Sequence, residues 1–145
     1  MRSSITSRAG TTLLELTIVL TLIGIVSGIA APRLRALRDR IDVRGAANDA
    51  DALYAFARRR ALARMTRVVV SIDPAAAAIT VVEGTDTVAR RAEWAIRGVR
   101  LDASRGATTY GPTGAAIGGS NLTLVLQKGA AADTLTVSRI GRVRR

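Results

Sequence analysis

The sequence predicts an α+β fold: a long N-terminal helix, membrane-spanning in its first half and amphipathic in its second, packed on an antiparallel β-sheet. Three observations predict it. An apolar run covers Thr11–Ala31. A helically spaced apolar stripe follows and continues to Met65. From Arg67 onward, short alternating β-branched segments are separated by Gly, Pro and Asp turns, the pattern of consecutive hairpins. A helix followed by hairpins can bury its apolar stripe against one face of the sheet.

Residues 1–10 form a short basic leader with Arg2 and Arg8 and no acid. In the apolar run that follows, Glu15 is the only charge. At about 1.5 Å per residue, a helix from Leu13 to Pro32 is roughly 30 Å long, the thickness of a bilayer's hydrocarbon core. Arg2 and Arg8 place the N-terminus on the cytoplasmic side, with the remainder of the chain outside. An ordinary signal peptide competes with this reading, because Ile29-Ala30-Ala31 makes a passable cleavage site. Against it stand the length of the run and the position of Glu15. A charge at the centre of a membrane helix costs about 2.5–3.5 kcal/mol and less near its end, so a retained acid points to a partner within the membrane.

Beyond Pro32 the helical period resumes at once, so this proline bends the helix without ending it. Leu34, Leu37, Ile41, Ala46, Ala50, Leu53, Ala57, Ala61 and Met65 draw one apolar stripe, widened by Tyr54, Phe56 and Leu62. Arginines and aspartates occupy the other faces. The segments that follow are a leader at 1–10, a membrane and assembly helix at 11–32, its amphipathic continuation at 33–66, and a β-rich exported domain at 67–145. Within that domain the expected strands are Arg67–Asp73, Ile79–Glu83, Thr87–Ile96 around Trp94, the short Val99–Leu101, Asn121–Gln127 and Thr134–Ile140. Arg105–Ser120, rich in glycine, reads as a loop.

Composition narrows the chemistry. The 145 residues include no cysteine and no histidine, which removes disulfides, thiolate metal sites and the commonest general base. Ser71 beside Asp73 and Ser104 beside Asp102 lack a base, and the acids are scattered, so no catalytic residue, metal site or cofactor is expected. The net charge of +11 is almost wholly arginine, Lys128 being the single lysine. One account is a polyanion partner, nucleic acid or anionic lipid; the other is the general bias of an Arg- and Ala-rich chain.

Gly10-Thr11-Thr12-Leu13-Leu14-Glu15 followed by an apolar run resembles the N-terminal signal of type IV pilins and type II secretion pseudopilins. The rest is similar to the GspH/FimT branch of that family, through the Arg- and Ala-rich helix, Val68–Pro74, and a last strand running into Gly141-Arg142-Val143-Arg144. The resemblance implies a type IV pilin-like fold, cleavage after Gly10 by a prepilin peptidase and methylation of the new terminus at Thr11, where that family most often has phenylalanine. It makes Glu15 the fifth residue of the mature chain and Pro32 the helix-bending proline. Glu15 would then pair with the positive N-terminus of a neighbouring subunit and set the register of assembly. The bland alternative is a carboxylate snorkelling to water.

The resemblance further implies a non-enzymatic, structural minor pseudopilin of a type II secretion system, near the pseudopilus tip. Its partners would be the prepilin peptidase, other major and minor pseudopilins, and lipid of the bacterial inner membrane. The chain would cross that membrane once, with a cytoplasmic N-terminus and a periplasmic or exported C-terminal domain. The alternative is a minor type IV pilin that binds DNA during uptake through Arg139, Arg142, Arg144 and Arg145. Guanidinium groups grip phosphates in a salt-dependent way, but no aromatic residue lies near the tail to stack bases. A structural role for the Gly-Arg turn, closing the last strand against the sheet, competes with that alternative.

Overall fold

A computed structural model of the protein describes residues 12–118 and 121–145. Gly10 and Thr11 lie outside the described residues. The chain divides into two units, the first ending at Arg35 and the second spanning Ala36–Arg145. One helix, α1 (Leu13–Arg64), belongs to both.

In the first unit, Thr12 caps α1. Its carbonyl accepts the first helical hydrogen bond from the Leu16 amide at 3.1 Å, and its hydroxyl accepts from the Glu15 amide at 3.2 Å. Thr12 and Glu15 thus hold the spacing of a capping box, in which a Thr cap and a Glu three residues on serve the same open helix end. Two hydroxyls inside the apolar run are satisfied by the helix itself: Thr17 donates to the Leu14 carbonyl and Thr21 to the Thr17 carbonyl, each at 2.7 Å. Pro32 lies inside the helix, with Gly28 four residues before it, where a ring inside a helix crowds the backbone most. The large apolar side chains of this segment, from Leu13 to Ile29, are exposed.

The second unit contains the remaining elements: β1 (Val68–Asp73), β2 (Ala78–Glu83), β3 (Asp86–Arg91), α2 (Glu93–Ile96), β4 (Arg100–Ala103), β5 (Ala107–Tyr110), β6 (Ala116–Ile117), β7 (Leu122–Lys128), β8 (Ala131–Val137) and β9 (Val143–Arg144). They form two antiparallel sheets, ordered β3-β2-β1-β5-β6 and β4-β7-β8-β9. Alternation selects the core: Val68, Val70 and Ile72 on β1, Leu122, Leu124 and Leu126 on β7, and Leu135 and Val137 on β8 are buried, while intervening side chains face outward. These residues and the helix form one hydrophobic cluster. Each fully buried Leu or Val contributes about 1.5–3 kcal/mol through surface removed from water.

The helix buries Val43, Ala47, Ala50, Tyr54, Ala57 and Ala61 at alternating steps of four and three, joined by Ala46 and Leu53. Alanine makes up most of that face because methyl groups let a helix backbone lie close to a sheet. Of the expected stripe, Ala46, Ala50, Leu53, Ala57 and Ala61 are buried, but Leu34, Leu37, Ile41 and Met65 are exposed. Burial starts at Val43, beside the β7–β8 turn, where Lys128 reaches Asp42. Met65 has a different reason. With φ of 53° it takes the left-handed conformation that ends the helix, and the Thr66 amide returns to the Ala61 carbonyl at 3.3 Å.

Three strand expectations need correction. The strand expected over Thr87–Ile96 stops at Arg91, and Trp94 sits buried on the helical turn α2, its indole N–H donating to the Asp49 carboxylate at 3.3 Å. Burying the ring against the helix while satisfying its N–H outweighs strand propensity there. The segment read as a loop, Arg105–Ser120, contains β5 and β6, because the free edge of β1 accepts β5 from Val68↔Tyr110 to Ser71↔Ala107. The last long strand ends at Val137, not Ile140. Ser138 turns the chain back: its amide donates to the Arg142 carbonyl at 2.8 Å, and its hydroxyl accepts from the Arg142 amide at 3.2 Å.

Candidate functional site

Two regions carry the residues singled out by the sequence. At the start of α1, Glu15 stands in the first helical turn, exposed, with its amide on the Thr12 hydroxyl. A carboxylate there also lies close to the positive end of its own helix dipole. The segment it leads is the one helix among the described residues long and apolar enough to cross a membrane.

The second region is the C-terminal arginine cluster. The structure separates its members. Arg139 is exposed in the turn, and its carbonyl accepts from the Ala116 amide at 3.2 Å, which ties the turn to β6 of the other sheet. Gly141 has φ of +73° and is buried, so the glycine of the Gly-Arg turn is required by backbone conformation and by space. Arg142 and Arg144 are exposed and make no ion pair with any acid among the described residues. Arg145 is engaged: its guanidinium donates to the Asp133 carboxylate, with Nε at 2.7 Å, and to the Asn48 side-chain oxygen at 2.8 Å. Donating to the Asp133 carboxylate raises the Arg145 pKa above its ordinary value.

The arginine tail lies along α1, which sequence spacing did not reveal. Arg142 lines a cleft of about 330 Å³ with Asp51, Arg58 and Arg59. Arg144 and Arg145 share a smaller cleft with Asn48 and Asp51. Arg145 also closes one side of a larger cleft, about 680 Å³, whose helix wall is Arg40, Val43 and Arg44 and whose sheet wall is Ala130–Asp133. The helix arginines were visible in the sequence as a polar face; only tertiary packing sets them opposite the tail.

Polar contacts hold α1 to both sheets. Lys128 donates to Asp42 at 2.6 Å and lies 3.6 Å from Asp39. The Asp42 hydrogen bond holds the Lys128 pKa above its ordinary value. Arg58 Nε donates to the Gly114 carbonyl at 3.0 Å. Arg60 pairs with Glu83, which also accepts from the Thr66 hydroxyl at 3.0 Å, and together these bonds lower the Glu83 pKa. These contacts join residues far apart in sequence, and no local motif announces them.

An exposed apolar helix that continues into an antiparallel β domain defines a pilin-like protein. The type II transport protein GspH family matches residues 46–141, and the chain belongs to that family. Two crystal forms of the type IV minor pilin FimU from Pseudomonas aeruginosa strain PAO1 share the fold. The P21 form is 12% identical with a TM-score of 0.63, covering 74% of this chain and 90% of FimU. The P65 form is 12% identical with a TM-score of 0.57, covering 70% and 90%. No curated protein matches this chain. Family and fold are those of structural, pilin-like proteins, and with the apolar helix they fit a membrane-anchored protein.

Proposed function

We propose that this protein is a minor pseudopilin of a type II secretion apparatus, anchored in the inner membrane and assembled near the tip of the pseudopilus. One observation carries the reading: the apolar side chains from Leu13 to Ile29 are exposed on a helix whose later turns are packed into a GspH-family domain. In a membrane this surface meets lipid; in a filament it meets the same surface of neighbouring subunits. Prepilin peptidase cuts after Gly10 and Thr11 becomes the methylated terminus. Glu15 pairs with the terminal amine of a neighbour, and Pro32 bends the helix between its two halves. The N-terminus lies in the cytoplasm and the β domain on the periplasmic side.

Mass spectrometry of the membrane-extracted chain is expected to find methylated Thr11 at the N-terminus; a terminus near Ala31 overturns the reading. Deletion is expected to block exoprotein release and leave transformation intact, and Glu15→Gln is expected not to complement it.

A second reading, a minor type IV pilin that binds DNA, is favoured by one observation. Arg139, Arg142 and Arg144 are exposed and without an acidic partner among the described residues, while Arg145 is held by Asp133. In this reading three guanidinium groups meet phosphates and Arg145 fixes the tail. Arg142→Ala with Arg144→Ala is then expected to lower DNA affinity and flatten its salt dependence. Unchanged binding at physiological salt removes the reading.

A further inference from the structure

The cleft between α1 and β8 combines a strand edge with two arginines that have no acidic partner among the described residues. The edge follows from hydrogen-bond direction. In an antiparallel strand, alternate residues send both N–H and C=O to the same side. The Ser138 amide bonds to Arg142 on the β9 side, so Thr136, Thr134 and Ala132 face that side too. β9 pairs only with Thr136 and Val137. Thr134 has its amide on the Asp133 carboxylate at 2.9 Å. Ala132, with its N–H and C=O, has no partner strand on this side among the described residues.

The charge follows from counting partners. Of the acids at and beside the cleft, Asp133 is paired with Arg145, while Asp39 and Asp42 share the single charge of Lys128, so with Arg40 and Arg44 counted the group holds one more positive than negative side chain. Arg40 and Arg44, one helical turn apart on the opposite wall, have no acidic partner among the described residues and are exposed. The sheet wall between them and Arg145 is Ala130-Ala131-Ala132, whose methyl groups leave room for a backbone to approach.

We propose that this cleft binds an extended acidic peptide segment of a partner protein, which adds as a strand to the free edge of β8 and places its carboxylates on Arg40 and Arg44. Strand addition between a helix and a sheet edge draws affinity from main-chain hydrogen bonds and specificity from the side chains that meet the wall. A polyanion would satisfy the arginines but not the Ala132 amide and carbonyl, so the strand edge favours peptide over nucleic acid. The inference holds whether the apparatus is a secretion system or a pilus.

The test uses the full chain in detergent micelles and an acetylated, amidated octapeptide that alternates glutamate with valine and threonine. Binding is expected, with slowed amide exchange at Ala132. Arg40→Glu with Arg44→Glu is expected to weaken it by at least about tenfold, as for paired charges at an interface. The same peptide N-methylated on alternate residues, which leaves its charge and the protein untouched, is expected to lose at least about tenfold as its ladder bonds are removed. Absence of binding, or affinity indifferent to N-methylation, overturns the proposal. So does a single-stranded oligonucleotide that displaces the peptide and depends on Arg40 and Arg44, which would make the cleft a phosphate site.

Discussion

A β-carbon on Gly141 would stand 2.7 Å from Cε1 of Tyr110, and equally close to the Gly114 carbonyl oxygen. The Tyr110 hydroxyl in turn donates a long hydrogen bond, 3.4 Å, to the Gly141 carbonyl. The tail of one sheet is therefore seated against β5 of the other, and only glycine fits there. Gly141→Ala is expected to destabilise the domain by about 2–4 kcal/mol, through left-handed strain plus overpacking. Arg142→Ala, at an exposed position, is expected to change stability by less than about 0.5 kcal/mol. Urea denaturation of the detergent-solubilised chain separates the two.

The two tyrosines predict an alkaline limit. Burial, reinforced by the neighbouring Tyr110, pushes the Tyr54 hydroxyl well up; burial also pushes Tyr110 up to about 12. Raised values favour the neutral form in the folded chain, so this stability is present below the ordinary value of 10 and lost as pH rises through the folded values. Absorbance titration is expected to show no tyrosinate at pH 10 while the chain is folded, and a normal titration in denaturant.

The Tyr54 hydroxyl, fully buried, makes no well-formed hydrogen bond among the described residues, the Thr108 side chain near it giving only a weak interaction. An unpartnered hydroxyl contributes little, so Tyr54→Phe is expected to cost less than about 0.5 kcal/mol or to stabilise. A loss of about 2 kcal/mol in thermal unfolding would mean the hydroxyl has a partner.

Met65 holds φ of 53° at the end of α1 with its side chain largely exposed. Glycine adopts that conformation without the Cβ penalty, so Met65→Gly is expected to stabilise the domain by about 0.5–1 kcal/mol, net of backbone entropy. A calorimetric midpoint lower than that of the parent chain would contradict it.

Glu83 predicts the acid side. Hydrogen bonds from Arg60 and Thr66 hold its pKa below the ordinary 4.5, so its charged form is favoured on folding. That contribution is present above pH 4.5 and lost as pH falls through the lowered folded value. The stability gap between the parent chain and Glu83→Gln is expected to narrow on acidification below that range and to stay constant above it.

Much of this was legible before folding. Apolar run length and the acid at Glu15 identify the helix start, and period-two alternation identifies β1, β2, β7 and most of β8, because these patterns are imposed by burial of one face. Local pattern misleads where tertiary contacts override local preference: Trp94 lies outside the strand, burying its ring and reaching Asp49, and two short pieces of the glycine-rich 105–118 stretch form β5 and β6 because β1 offers an edge. The apolar stripe runs on through Leu34, Leu37 and Ile41 without being buried, because period reports which face is apolar and not where packing begins to cover it.

The sequence by itself therefore determined the class of protein: a bilayer-length apolar segment with an acid near its start, and an antiparallel domain behind it. Only the tertiary structure decided what the arginines do. It set Arg145 on Asp133 and Asn48, Lys128 on Asp39 and Asp42, and left Arg40 and Arg44 facing an open strand edge. The physical reason is that apolar period is a local signal, whereas charge compensation depends on which distant side chains folding brings within hydrogen-bond reach.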